Sequence, residues 1–453
     1  MKLFSSNAPQ IRTPHPGPNT RSHLERIRKV EGQSALTFGL SSETVVAVSA
    51  RGAAITDVDG NVFLDFVAGF GSLNAGHCHP AVVSALREQA DKIHQAMSFG
   101  SKTRNRLMEK VISLMPPVVD WKLMLAATGG EAAEIAIKLA RRATGRQEVV
   151  AFQGAFHGRT MGALSLMGKK AQRQGLGVLV PGAHHVPYPY PYRSAYGNHP
   201  EACMEGVLRH IDAFLNNPAS GWGEIAAIIL EPVQGNGGMI PAPPGFLRAI
   251  RERCDQHGVL LIFDEVMSGF CRTGKMFAFE HEADVAPDIL VLGKSISGGI
   301  PLSACVAKAE IVSASGPGTE GSTYGGNVMG CAAGLASIAV YEKESLAVRA
   351  AEQGTYFLKQ LRGLAGKYKI IGEARGRGLM VAIELVKDRR SREPLAVARE
   401  AVQMALELGL LIYPAGHYSN VLAFLPPLIV SKKEIDIAVS ILDEVLSGFE
   451  TIH

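Results

Sequence analysis

Apolar positions along this chain follow two regimes. From about Ala81 to Val340, short uninterrupted apolar runs alternate with longer segments in which apolar residues recur every three or four positions. Uninterrupted runs such as Ile225–Leu230, Leu260–Phe263 and Ile289–Leu292 suit strands buried on both faces. The alternation predicts a mostly parallel sheet with crossover helices. Clear helices fall at Gly130–Arg142 and Gly245–His257; the second follows Pro243-Pro244 and stops at Gly258. From about Ser345 the pattern changes. A helix is followed by strands within Ile370–Leu385, a helix over Ala396–Leu408, short strands, and a last helix reaching about Phe449, which together predict a separate α+β unit. Towards the other end, Ala53–Asp57 and Val62–Phe66 flank a DxDGN turn (Asp57, Asp59, Gly60, Asn61), a hairpin signal. The first forty residues read as an arm, since Pro9, Pro14, Pro16 and Pro18 exclude a regular helix there. Such an arm either wraps a neighbouring subunit or stays disordered. The division expected is an arm over 1–40, a small α+β domain from 41–75 and 345–453, and a large domain over 76–344.

At 453 residues the chain exceeds the usual limit of a single core, which agrees with two domains. It is 47% hydrophobic and 19% charged, the balance of an ordinary globular enzyme. A formal net charge of +4, with no block of like charge, gives no footing for nucleic acid or a membrane surface. No run approaches the roughly 18 apolar residues a membrane helix needs. The N-terminal stretch MKLFSSNAPQIRTPHPGPNT has no apolar core of the secretory kind. Six scattered cysteines without a CxxC (Cys78, Cys203, Cys254, Cys271, Cys305, Cys331) suit a reducing compartment, so a cytoplasmic location is expected. No metal-ligand spacing stands out.

Candidate chemistry concentrates at the ends of the apolar runs. Leu260–Phe263 delivers Asp264, and Ile289–Leu292 delivers Lys294. A buried acid and a buried amine at neighbouring strand ends suit pyridoxal 5′-phosphate (PLP): the lysine can form a Schiff base with its aldehyde, and the acid can hold its pyridine nitrogen protonated. In LAATGGEAAE, Leu125–Glu134, a helix opens at glycines, as a phosphate site requires, although an ordinary glycine turn reads the same way. In FQGAFHGRT, Phe152–Thr160, Phe156 and His157 follow a strand end; an aromatic plane for the cofactor ring and plain core packing both fit. Ile225–Leu230 ends in Glu231, an acid that needs a partner when buried, with a positioning role at the site rather than a catalytic one. In GSTYGGNVMGC, Thr323 offers a hydroxyl among glycines, either a phosphate ligand or part of a flexible loop.

Taken together these motifs resemble the class III, ornithine/4-aminobutyrate type, PLP-dependent aminotransferases. The resemblance rests on Gly76-His77 with His79-Pro80, Thr128–Glu134, Phe156–Thr160, Glu231–Gly235, Asp264–Val266, Arg272–Gly274, Gly293-Lys294 and Gly321–Asn327, and it spans nearly all of the chain after residue 45. It implies PLP fold type I, with a seven-stranded, mostly parallel sheet in the large domain and a small domain drawn from both termini. It implies that Lys294 is the Schiff-base lysine and Asp264 the partner of the ring nitrogen. Thr128, Gly129 and Gly130 would hold the phosphate, Phe156 and Val266 would sandwich the ring, and His157, Glu231 and Met267 would line it. Thr323 would reach the phosphate of a neighbouring subunit, making a homodimer with shared sites the working unit, with a tetramer also open.

Three departures from the family bear on substrate. Where relatives carry an arginine in a segment like NVLRxxPPL, this chain has NVLAFLPPL, with Ala423 at that position. The glutamate of EPVQGEGG that pairs with that arginine is Asn236, and a usual glutamine is Met267. Losing both halves of a buried pair together is consistent, because either half alone would be costly. Arg159 remains as a carboxylate clamp, while Phe70, Met267, Ala423 and Phe424 suggest an apolar pocket for a neutral or bulky amine such as an aminosugar. The tail from Asp388 is also similar to the aminocaprolactam racemase and isoleucine epimerase branch, so a racemase or epimerase is the alternative to a transaminase. A nicotinamide-dependent enzyme would need a GxGxxG that Gly129-Gly130 and Gly325-Gly326 do not supply.

Overall fold

The computed structural model describes residues 7–38, 41–117 and 119–450. Its centre is a seven-stranded sheet in the order Trp121–Ala126, Ser303–Lys308, Ile289–Leu292, Leu260–Asp264, Ile225–Leu230, Glu148–Phe152, Ala183–Val186. Leu260–Asp264 lies parallel to both its neighbours, whereas Ser303–Lys308 runs against both of its own. The central strands read as continuous apolar runs because both their faces are covered; every residue of Ile225–Leu230 and Ile289–Leu292 is buried. The helix Gly129–Thr144 packs on one face through Ala132, Ala133, Ala136, Leu139 and Ala140. Its alanines let the helix approach the sheet closely.

Two smaller sheets flank this one. The hairpin Ala54–Asp57 and Val62–Asp65 forms as expected, extended by Ala47–Arg51 on one side and by Leu410–Leu411, from far along the chain, on the other. The strands Ile371–Arg377, Met380–Leu385, Val421–Phe424 and Tyr413–Ala415 make an antiparallel sheet in that order. The helices Phe246–His257, Ala398–Glu407 and Lys432–Glu450 match the periodic segments, with Gly245 and Gly258 both in left-handed conformation at the ends of the first. Among the described residues no helix is long and apolar enough to cross a membrane.

The arm departs from expectation. Residues 1–6 and 39–40 lie outside the described residues, but Pro18–Val30 is a 13-residue helix. The prolines end where it begins: Pro18 occupies the first turn, where its missing N–H costs nothing. The preceding stretch and the first turn of the helix are held by the hairpin of their own chain. The Arg12 and Thr13 N–H groups donate to Asn61 Oδ1 at 2.8 and 3.0 Å, and those of Asn19 and Thr20 to Asp59 at 2.9 and 2.8 Å. The DxDGN turn is therefore also the anchor of the arm.

Candidate active site

The parallel strands deliver their side chains to one edge of the sheet. Asp264 is the last residue of its strand and sits in register with Val291 of the neighbouring strand, three positions before Lys294. The Asp264 carboxylate is fixed at both oxygens: Oδ1 accepts the Val266 N–H at 3.0 Å, and Oδ2 faces His157 Nδ1 at 2.7 Å. Burial opposes charge on His157, but the Asp264 hydrogen bond and charge outweigh it and raise its pKa, so His157 Nδ1 holds a proton towards the carboxylate. The other ring nitrogen, Nε2, is buried without a hydrogen-bond partner.

Lys294 is half-buried and forms no ion pair among the described residues. Desolvation lowers its pKa to about 8 against the pull of the Glu231 and Asp264 charges. Its backbone lies in the left-handed region, φ 47°, as does that of Phe70, φ 57°. Non-glycine residues held there cost about 1–3 kcal/mol each, and such strain gathers at functional sites.

Glu231, 5% exposed, ties two segments of the site together. Its carboxylate accepts the Phe156 N–H at 3.0 Å and the Gly235 N–H at 2.8 Å. Burial raises its pKa to about 7, beyond what the nearby His157 charge offsets. Val266 is pinched between two glycines: a β-carbon on Gly129 would lie 2.9 Å from both its γ-carbons, and one on Gly293 would lie 3.3 Å from Cγ1. Thr128 caps the helix Gly129–Thr144, its hydroxyl accepting the Glu131 N–H at 3.3 Å, while its carbonyl accepts from Ser303 Oγ at 2.7 Å. The leading N–H groups of that helix have no acceptor within it. Gly130 faces Gly158, and Arg159 is exposed.

Phe70, Met267 and Ala423 share one apolar cluster with Val67, Met380 and Tyr413. Phe424 does not join them. It is the next residue on the strand and points to the opposite face, against Phe357 at 5.3 Å between ring centroids. Thr323 is exposed on a loop beside the first turn of the Gly129 helix, where Ser322 Oγ donates to Glu131 Oε2 at 3.4 Å.

Two buried groups go beyond what the sequence predicts. Glu265 is fully buried and accepts from the Ala278 and Phe279 N–H groups at 2.6 and 2.8 Å; burial raises its pKa to about 7. The acid doublet Asp264-Glu265 carried the signal, since consecutive strand residues face opposite ways. Tyr413 left no pattern in the sequence beyond a short apolar run.

These residues fit PLP. A glycine cradle at a helix N-terminus suits a phosphate, a carboxylate held at both oxygens suits a pyridinium nitrogen, and an unpaired, desolvated amine suits an aldehyde. The edge of the sheet thus has the make-up of a fold type I PLP enzyme. The chain matches the family model described as aminotransferase class-III over residues 39–446. It is 39% identical over 401 residues to the 5-aminovalerate aminotransferase DavT of Pseudomonas putida, covering 87% of this chain and 92% of that protein. It is 32% identical over 458 residues to an alanine/serine racemase of Pyrococcus horikoshii, covering 98% and 94%. Among solved structures it resembles a PLP-bound amine transaminase from an uncultivated Pseudomonas species, with a TM-score of 0.84 and 33% identity over 92% of this chain and 98% of that one. The chain belongs to the class III aminotransferases, PLP-dependent enzymes that move an amino group between an amino donor and a carbonyl acceptor.

Proposed function

We propose that Lys294 and Asp264 carry the chemistry of amino-group transfer in this chain, acting on an amine whose recognition does not depend on an arginine at position 423. The observation that carries this reading is the pairing of an acid fixed at both oxygens with a desolvated, unpaired amine on adjacent strand ends. When bound, PLP supplies an electron sink that acidifies the Cα–H of an attached amine. Asp264, oriented by Val266 and His157, would hold the ring nitrogen protonated. Lys294, whose lowered pKa of about 8 makes its neutral form accessible, would take the proton from Cα and return it. Phe156 and Val266 would press on the two ring faces, with Met267 beside them. The N–H groups of Gly129 and Gly130, with Thr128, would bind the phosphate. Glu231 would keep the Phe156 and Gly235 segments in register rather than exchange protons. Arg159, exposed at the rim, would bind a carboxylate of the acceptor.

Thr323 lies on the surface, and its hydroxyl has no hydrogen-bond partner among the described residues. This supports a homodimer in which it completes the partner's phosphate site. The division into 41–75 with 345–453 and 76–344 belongs to the same reading, supported by the pairing of Val62–Asp65 with Leu410–Leu411. The six free cysteines support a cytoplasmic setting.

A second reading, racemisation or epimerisation on the same machinery, is favoured by the likeness to the alanine/serine racemase along 98% of the chain. One experiment separates the two. Holoenzyme is mixed with a single Cα-deuterated amino donor and no acceptor. Stoichiometric release of carbonyl product marks transfer. Deuterium loss and decay of optical rotation without that product mark isomerisation. Lys294→Ala is expected to abolish either reaction while leaving the circular dichroism unchanged; retained turnover overturns the assignment.

A further inference from the structure

The position that lacks the family's arginine lies in a row of cross-strand neighbours. Arg375 pairs with Ala382, Ala382 with Ala423, and Ala423 with Tyr413. Directly opposed residues of antiparallel strands share one face, so these four side chains stand side by side. Both ends of the row carry a buried polar atom without a partner, Arg375 Nη2 and the Tyr413 hydroxyl, but the rest of Arg375 is held by its own chain. Arg375 is already committed, with Nη1 within 2.7 Å of Glu384 and 2.8 Å of Glu373, and Nε donating to Gly238 O at 2.7 Å. Tyr413, at the other end, is 4% exposed, and its hydroxyl is buried with no hydrogen-bond partner. Its ring stands edge-on to Phe70, centroids 5.3 Å apart, and it belongs to the apolar cluster that includes Met267 and Ala423. It also lies within the electrostatic reach of Arg272 and Glu231. Arg272 gives Nη1 to the carbonyls of Leu379 and Pro426 and Nη2 to Asn74 Oδ1, so only its Nε, buried without a partner, is uncommitted.

An unsatisfied hydroxyl in such a cluster is destabilising and calls for an occupant that accepts its hydrogen bond. Burial drives its pKa far up, so it stays protonated and donates. A carboxylate in the same place would be desolvated among apolar side chains, with the Glu231 charge opposing what the Arg272 charge offers. We propose, on the basis of the transaminase reading above, that Tyr413 is a specificity-determining residue, donating a hydrogen bond to an uncharged acceptor, an amide or other carbonyl oxygen, on the substrate chain distal to its amine.

The test compares Tyr413→Phe with the wild-type holoenzyme on three amines of similar length: 4-aminobutanamide, 4-aminobutyrate and n-pentylamine. Binding is read from the visible absorbance of the holoenzyme during titration and turnover from kcat/KM, so the proposal is tested even if the reaction is isomerisation. The wild type is expected to favour the amide over the carboxylate. The variant should lose about 10-fold in affinity and kcat/KM for the amide alone, with pentylamine unchanged. Because the hydroxyl has no protein partner, the variant should melt at the same temperature or higher. Equal losses on all three amines, no loss on the amide, or a lowered melting temperature each overturn the proposal. Absence of carbonyl product with an amide-selective loss of binding would instead overturn the transaminase reading alone.

Discussion

Gly129→Ala is the sharpest test of the cradle. Carbon–carbon contacts are best at about 3.5–4.0 Å, whereas the new β-carbon would sit 2.9 Å from both Val266 γ-carbons and 3.5 Å from its β-carbon. Rotation about χ1 of Val266 relieves only one of the two contacts, because two of the three substituents on its β-carbon are methyls and one always faces the glycine. Backbone retreat is opposed by the Val266 N–H bond to Asp264 Oδ1 at 3.0 Å. The helix start or the valine must therefore yield, at an overpacking cost of about 1–3 kcal/mol. Expressed on the holo state, that weakens PLP binding about 5- to 150-fold. Val266→Ala removes both γ-carbons, so the penalty should vanish in the double variant. The assay is a double-mutant cycle on PLP dissociation constants, from absorbance on reconstituting apoenzyme. Gly293→Ala serves as the milder member, with one γ-carbon at 3.3 Å. Additivity of Gly129→Ala and Val266→Ala within about 0.5 kcal/mol would refute the pinch.

Other outcomes are expected at the site. Asp264→Asn should keep the cofactor but lower kcat by about 100-fold or more, because the ring nitrogen loses its charged partner; an unchanged kcat rejects that role. Ala423→Arg alone buries an uncompensated charge and should destabilise by about 3–5 kcal/mol. Pairing it with Asn236→Glu should recover much of that and raise use of glutamate or 2-oxoglutarate; if neither acid improves, the pocket is misread. Glu231 has its folded pKa raised from 4.5 to about 7. A raised acid stabilises fully below pH 4.5 and loses that contribution as pH climbs through 7. Glu231→Gln cannot ionise, so its melting temperature relative to wild type should rise between pH 5 and 8; a flat difference means the buried carboxylate does not titrate there.

Much of this arrangement is legible in the sequence. Leu260–Phe263 and Ile289–Leu292 announce doubly covered strands, and an ionisable residue straight after each run has nowhere to go but the sheet edge. Other parts hide for physical reasons. The helix Pro18–Val30 was masked by the prolines before it, because proline excludes a helix interior but not a first turn. Phe424 cannot share the pocket with its neighbour Ala423, because consecutive strand residues face opposite ways. The row from Arg375 to Tyr413 depends on the register of Ala382 against Ala423, on strands far apart in the chain. No local pattern encodes such a register, and so the unpartnered hydroxyl of Tyr413 could not be read from the chain.

The reversed strand Ser303–Lys308 has a consequence for how the enzyme is made. It lies between Trp121–Ala126 and Ile289–Leu292 and joins the two segments that bear Thr128 and Lys294. During synthesis the glycine-led helix leaves the ribosome well before this strand exists, and until the strand is laid down nothing bridges those segments in the sheet. Cofactor capture is then expected no earlier than the emergence of residue 308. A nascent chain halted before Ser303 would hold every residue assigned to the ring and its lysine, yet have no continuous edge on which to assemble them.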